Sequence, residues 1–213
     1  MQKVVIADES RLGVKEAETF KTIRTNLLCV SDNVKSILVT SCMPGEGKTM
    51  VSFNLAISMS EIGKKVLFVD GDMRKAGMMT KYGIVGKVKG LSQFLRGQVT
   101  LDEAICETNM PKFDIVFSGS IPANPSELLE SKAFSNFMKQ TREKYDYVIV
   151  DTPALGSVID GAIIARECDG AVIVTAYGTK NRRETKKVIN QVKETNTAIL
   201  GIVLNKAVER TKR

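Results

Sequence analysis

Two hydrophobic periodicities take turns along this chain. Short, mostly apolar runs at 36–40, 65–69, 113–117, 147–150, 171–175 and 198–204 have the length and Val/Ile/Leu content of strands covered on both faces. Between them lie stretches with helical spacing. Residues 15–30 place Ala17, Phe20, Ile23, Leu27 and Val30 on one side, and 50–59 form a second helix that Gly63 stops. Residues 126–144 give one or two helices with Leu128, Leu129, Phe134, Phe137 and Met138 turned inward, and 160–167 and a basic 182–194 complete the set. Turn signals precede short helices at 91–96 and 101–107, 76–88 are irregular, and 1–14 carry no clear pattern. Strands alternating with helices predict an α/β fold, a mostly parallel sheet flanked by helices on both faces, in one domain over 1–213 with no repeat or linker.

The first buried strand runs into Ser41-Cys42-Met43-Pro44-Gly45-Glu46-Gly47-Lys48-Thr49, and a helix follows. A strand, a glycine-containing loop ending in Gly-Lys-Thr and a helix form the arrangement that cradles nucleotide phosphates, so the fold is of the P-loop NTPase kind. Successive backbone N–H groups and the helix N-terminus aim partial positive charge at one anion. Lys48 is expected to reach the β- and γ-phosphates and the Thr49 hydroxyl to ligate Mg²⁺. The expected nucleotide contacts are Pro44, Gly45, Glu46, Gly47, Lys48, Thr49 and Met50. One departure stands out: Cys42 occupies the place of the motif's first glycine. Read alone, the loop leaves room for a plain glycine turn between a strand and a helix.

Two further strands end in carboxylates, at Asp70-Gly71-Asp72-Met73-Arg74 and at Asp151-Thr152-Pro153. Ligands of parallel sheets gather beyond the carboxyl ends of the strands. Asp70, Asp72 and Asp151 therefore face the nucleotide, where Mg²⁺ relieves the cost of desolvating them. Thr49, Asp72 and Asp151 are the expected metal ligands. Asp70 or Asp72 orients and deprotonates the attacking oxygen, and the pattern does not divide that work between them. The plainer role for Asp72 is capping a turn or pairing with Arg74.

Composition narrows the setting. A hydrophobic content of 43% and a charged content of 26% are those of a globular domain, and no apolar run has the length of a membrane span or a secretion signal. The cytoplasm is the expected compartment. Four cysteines without a C-x-x-C pair, and no His, argue against a zinc site or a disulfide framework. Cys29, Cys106 and Cys168 read as small buried hydrophobes, and Cys42 as a place where oxidation would block nucleotide. The net charge is +7. Its denser clusters (Lys180, Arg182, Arg183, Lys186, Lys187; then Lys206, Arg210, Lys212, Arg213) read as a solvated face; attraction to an anionic membrane leaflet or to nucleic acid is the sharper alternative, and no nucleic-acid partner is expected.

The set resembles the bacterial tyrosine kinases of capsule and exopolysaccharide synthesis over about residues 15–206. The P-loop, the apolar run before Asp70, Asp72 and Arg74 (D-x-D-x-R), the apolar run before Asp151 and the segment Asn124-Pro125-Ser126-Glu127-Leu128-Leu129 carry the likeness. The resemblance implies an ATP- and Mg²⁺-dependent protein-tyrosine kinase, with catalytic residues Asp70, Asp72 and Lys48 and with Asn205 against the adenine. It further implies transfer in trans to tyrosine-containing proteins, and a transmembrane activator or polysaccharide co-polymerase that recruits the enzyme to the inner face of the membrane. The family's assembly motif E-x-x-R-x-x-R reads Glu18, Lys21 and Arg24 here; Lys lacks the planar fork of Arg, so a homo-oligomer built through it is weakened. The family's terminal tyrosine cluster has no counterpart before Arg213, and the tyrosines are Tyr82, Tyr145, Tyr147 and Tyr177. The competing likenesses are a MinD/ParA-type ATPase, whose early loop lysine is replaced by Met43, and an ATP-binding scaffold without transfer to tyrosine.

Overall fold

Alternation within the apolar runs decides which face each side chain covers. In β2 (Ser36–Ser41) Leu38 packs on one side of the sheet and Ile37 and Val39 on the other. The same division holds in β3 (Val66–Asp70), β6 (Tyr147–Asp151) and β7 (Gly170–Ala176). These strands are buried on both faces, so each apolar side chain contributes about 1.5–3 kcal/mol of burial. The computed structural model describes residues 1–7, 12–30, 33–75, 77–84, 88–178 and 182–207.

On the Ile37 face lie α1 (Val14–Val30), α2 (Lys48–Glu61) and α3 (Met78–Lys81), through Phe20, Leu27, Val51, Phe53, Met59 and Met78. The Leu38 face carries α4 (Leu91–Leu95), α5 (Leu101–Ala104), α6 (Pro125–Leu129), α7 (Lys132–Lys144), α8 (Asp160–Ala165) and α9 (Arg182–Glu194). With the short β1 (Gln2–Val4), β4 (Cys106–Thr108), β5 (Phe113–Val116) and the edge strand β8 (Ala198–Asn205), the eight-stranded sheet has the order β1-β4-β5-β3-β6-β2-β7-β8. Every pair is parallel except β4 with β5. The order brings β6 between β2 and β3, so the loop after β2 and the carboxylates after β3 and β6 open into one crevice.

Some expectations change. The patternless start contains β1, and the helix expected over 101–107 stops after one turn and gives way to β4. Thr100 caps that turn by accepting the Glu103 N–H, but Ile105 is already extended. Irregular 76–88 includes α3, while 76 and 85–87 lie outside the described residues, as do Lys180, Arg210, Thr211, Lys212 and Arg213. Cys106 and Cys168 are buried, but Cys29 is exposed. Glu18 and Lys21 pair with each other on the surface of α1 at 2.6 Å. Arg24 turns inward instead, and its Nη1 donates to the Ser58 carbonyl at 2.6 Å and to the Ser58 hydroxyl at 3.1 Å. This side chain therefore braces α1 on α2.

Candidate active site

The loop after β2 is shaped from behind. Gly45 and Gly47 sit at φ 82° and 94°, the left-handed region that favours glycine. A Cβ on Gly47 would also collide with the Asn205 amide. Glu46 is buried: its carboxylate accepts the Met43 N–H at 2.8 Å, the Thr175 hydroxyl at 3.3 Å and the Ala176 N–H at 3.4 Å. Asn205 Nδ2 donates to the Glu46 carbonyl at 2.9 Å, and Lys206 Nζ to the Gly45 carbonyl at 2.8 Å. Carbonyls on the outer side of the loop are thus occupied by the end of β8, leaving its N–H groups for an anion. Pro44 is exposed on the loop, Lys48 and Thr49 begin α2, and Met50 packs partly into the core beneath.

Cys42, at the position of the missing glycine, is fully buried with its thiol 3.5 Å from the Thr185 hydroxyl. Burial pushes this thiol up, with Glu46 and Glu184 adding to the effect against the Thr185 hydrogen bond. A buried, protonated thiol is a poor oxidation target, which removes the expected redox block. Gly156 packs over the same residue so closely that any Cβ would strike the Cys42 carbonyl. Nothing in the sequence pattern singled out that glycine.

Asp70 and Asp151 are direct register partners at the ends of adjacent strands, and both are buried. Asp70 accepts the Asp72 N–H at 3.2 Å and the Ser118 N–H at 3.4 Å. Burial, followed by the charge of Asp151, still pushes its carboxyl up to about 7. Burial pushes Asp151 up too, opposed in part by Lys48 and by the Thr49 and Ser52 hydroxyls, and reinforced by Asp72. Asp70, Asp72, Asp151, Lys48 and Thr49 therefore belong to one electrostatic cluster. Asp72 is half-exposed, and its side chain accepts the Arg74 N–H at 3.3 Å.

Among the described residues, Asp151 Oδ1 is the buried side-chain atom without a hydrogen-bond partner, and no group of three or more His, Cys, Asp or Glu could hold a metal alone. An orphaned carboxylate oxygen beside a P-loop threonine suits Mg²⁺, which takes one or two protein ligands and fills its remaining positions with phosphate and water. The donor set fits the ion.

A raised carboxylate has a stability signature. Unfolded, Asp70 titrates near the usual 3.8; folded, near 7. Between those values the folded chain holds the extra proton, so stability falls as pH rises through the window and levels off above it. Without nucleotide and Mg²⁺, the chain is expected to lose about 1 kcal/mol from pH 6 to pH 7.5, seen as a falling melting temperature. Asp70→Asn should flatten that slope, and an unchanged slope would contradict the assignment.

Three segments far apart in sequence lock the loop that bears Asp72. Arg74 Nε and Nη2 donate to the two oxygens of Asp160 at 2.7 and 2.9 Å, and Nη2 reaches the Ser126 hydroxyl at 3.0 Å. Ser126 in turn donates to Asp160 at 2.7 Å. Burial pushes the Asp160 carboxyl up, but these hydrogen bonds and the Arg74 charge overcome it and hold the carboxyl below the usual carboxylate range. The Arg74 guanidinium is thus engaged with Asp160, while Asp72 meets Arg74 through its backbone N–H, the turn-capping contact expected of it. Asp160 is almost fully buried while Arg74 is partly exposed. Arg74→Ala should cost about 2 kcal/mol, at the low side for breaking a buried pair, and denaturant unfolding measures it. The sequence reading also missed Lys81, which ends α3 close enough to Asp151 and Lys48 to feel both charges. Its only signal was a basic residue in a stretch without periodicity.

A family model described as "AAA domain" matches residues 34–204. The tyrosine-protein kinase CpsD of Streptococcus pneumoniae serotype 4 is 41% identical over 97% of this chain and 91% of its own length. Among solved structures, the chimerical protein CapA2B2 superposes with a TM-score of 0.87 at 32% identity, covering 98% of this chain and 95% of its own. The septum site-determining protein MinD of Pyrococcus horikoshii, complexed with Mg-ADP, superposes with a TM-score of 0.72 at 28% identity over 83% of this chain and 72% of its own.

Proposed function

The chain belongs to the bacterial tyrosine-protein kinases, enzymes built on the AAA-type nucleotide-binding fold, and we propose a division of labour among its own residues. The loop N–H groups from Gly45 to Lys48 bind the phosphates of ATP, and Lys48 neutralises charge on the β- and γ-phosphates. Thr49 and Asp151 hold Mg²⁺, with Asp72 completing the shell; when bound, the ion offsets negative charge on the transferring group. Asn205, already braced against the loop, lies beside the adenine. Asp70 receives the proton of the tyrosine hydroxyl: a carboxyl poised near 7 suits a general base. Asp72, half-exposed at the mouth, orients that hydroxyl. The single observation that carries this reading is the buried, unpartnered Asp151 Oδ1, in register with Asp70 and beside Lys48 and Thr49.

The proposal extends to the cellular setting. The enzyme phosphorylates tyrosines in trans in the control of capsular or exopolysaccharide synthesis, in the cytoplasm, at the inner face of the membrane. A membrane-spanning activator supplies the recruitment, as the likeness to split-type kinases suggests. Homo-oligomers form through the exposed Glu18 and Lys21, with Arg24 fixing the angle of α1.

Incubating the chain and its activator with Mg-ATP and a tyrosine copolymer tests the reading. Phosphotyrosine should accumulate in step with ADP. Steady phosphate release without phosphotyrosine would return the chain to the MinD-like ATPases, whose fold it shares.

A further inference from the structure

Of the four tyrosines, Tyr177 alone offers its ring to solvent, with 57% of the residue exposed. Tyr82 is 6% exposed and stacks on Phe53 with ring centroids 3.8 Å apart. Tyr145 is 4% exposed and its hydroxyl donates to Asp114 at 2.7 Å. Tyr147 is half-buried within β6. A phenol can enter a kinase cleft only if it leaves its own surface, and three of these are held by packing or by a strand.

Tyr177 stands at the carboxyl end of β7, where its N–H donates to the Asn205 carbonyl at 2.7 Å. The next residue, Gly178, has φ 79°, in the left-handed region that favours glycine. Backbone on either side is thus fixed or turning, while the side chain is free of the core. The sheet order β3-β6-β2-β7 puts two strand spacings between this residue and Asp151 and three between it and Asp70, and the register sets both carboxylates level with Val172, five residues short of Tyr177. β7 lies across β2, the strand that leads into the P-loop, from the two strands that bear these carboxylates, so transfer within one chain is disfavoured.

We propose that Tyr177 is a phosphorylation site of this enzyme, modified in trans by a second copy of the chain. The inference rests on the kinase reading above. In the step, the bond between Pγ and the β,γ-bridging oxygen of ATP breaks and a Tyr177 Oη–Pγ bond forms. The phenol proton passes to a carboxylate of the receiving site, Asp70 by the assignment above, and then to water; ADP leaves with the bridging oxygen. Ala176 and Gly178, on either side of Tyr177, line a groove together with Arg182 and Lys186, cations suited to hold a phosphate.

The test uses a Lys48→Met chain as substrate, distinguishable by mass, mixed with the wild-type chain, its activator and Mg-ATP, with a Glu-Tyr copolymer as parallel substrate. Peptide mapping should place phosphate on Tyr177 of the Lys48→Met chain, and Tyr177→Phe in that chain should lower its phosphotyrosine at least tenfold. Tyr177→Phe in the wild-type enzyme should leave transfer to the copolymer unchanged. Copolymer phosphorylated while Tyr177 stays unmodified would overturn the inference and leave the kinase reading intact. If neither is phosphorylated, both fall.

Discussion

Lys48→Met should reduce phosphoryl transfer to tyrosine by about 10²–10³-fold, the loss expected when one preorganised charge aimed at the transition state is removed. Two effects combine. The ammonium no longer offsets charge on the β- and γ-phosphates, and Asp151 loses the cation that most strongly opposes its rise in pKa. Folding should be nearly unaffected, because Lys48 is half-exposed at the start of α2 and its nearest polar partner is the Thr49 hydroxyl at 3.4 Å. Initial rates with the tyrosine copolymer, together with thermal melts, check both halves. A variant within threefold of wild type would show that the loop does not grip the transferring phosphate.

The second large effect has opposite signs for activity and stability. Asp151→Asn should lower transfer by about 10²-fold or more, because the neutral amide is a poor ligand for a hard cation. The same substitution should raise the stability of the nucleotide-free chain at pH 8 by about 1 kcal/mol, or a few degrees in melting temperature. The carboxylate it replaces is buried, has one oxygen without a partner and faces Asp72. Strain of this kind is kept at sites where function requires it. Adding Mg-ATP should stabilise the wild-type chain far more than the variant. Equal stabilisation of both would show that Asp151 is structural.

The legible part of the fold was the part governed by long-range apolar periodicity. β2, β3, β6 and β7 lie at the centre of the sheet, covered on both faces, and their runs of Val, Ile and Leu have no competing interpretation. β1 and β4 have three residues each, too few for any period, and tertiary contacts decide them. Gln2 shows how: its side-chain amide donates to the carbonyls of Lys89 and Glu103 and docks β1 beside β4. Residues 101–107 misled for the converse reason. Leu101, Ala104 and Ile105 have helical spacing, yet Ile105 is already extended: Leu101 and Ile105 pack on the Leu38 face, while Cys106, the first residue of β4, is buried on the other.

In the candidate site, the convergence of the loop and the three aspartates was legible because each follows a strand of a parallel sheet, and the carboxyl ends of those strands open into one crevice. The supporting contacts were not. Glu46 reads as a loop residue like its neighbours, but its side chain is turned away from the crevice and ties the loop to β7. Arg74, Ser126 and Asp160 meet from segments as much as 86 residues apart, a pairing no local pattern encodes. Arg24 shares the assembly motif with Glu18 and Lys21, but helical spacing cannot tell a side chain that faces water from one that braces a neighbouring helix.

Crystals grown with Mn²⁺ and a non-hydrolysable ATP analogue give the most direct test, since anomalous scattering locates the ion. The peak should lie against the Thr49 hydroxyl and Asp151 Oδ1, with the γ-phosphate beside Lys48. A nucleotide bound in the loop with its ion away from Asp151, or with Asp151 Oδ1 still unligated, would contradict the account.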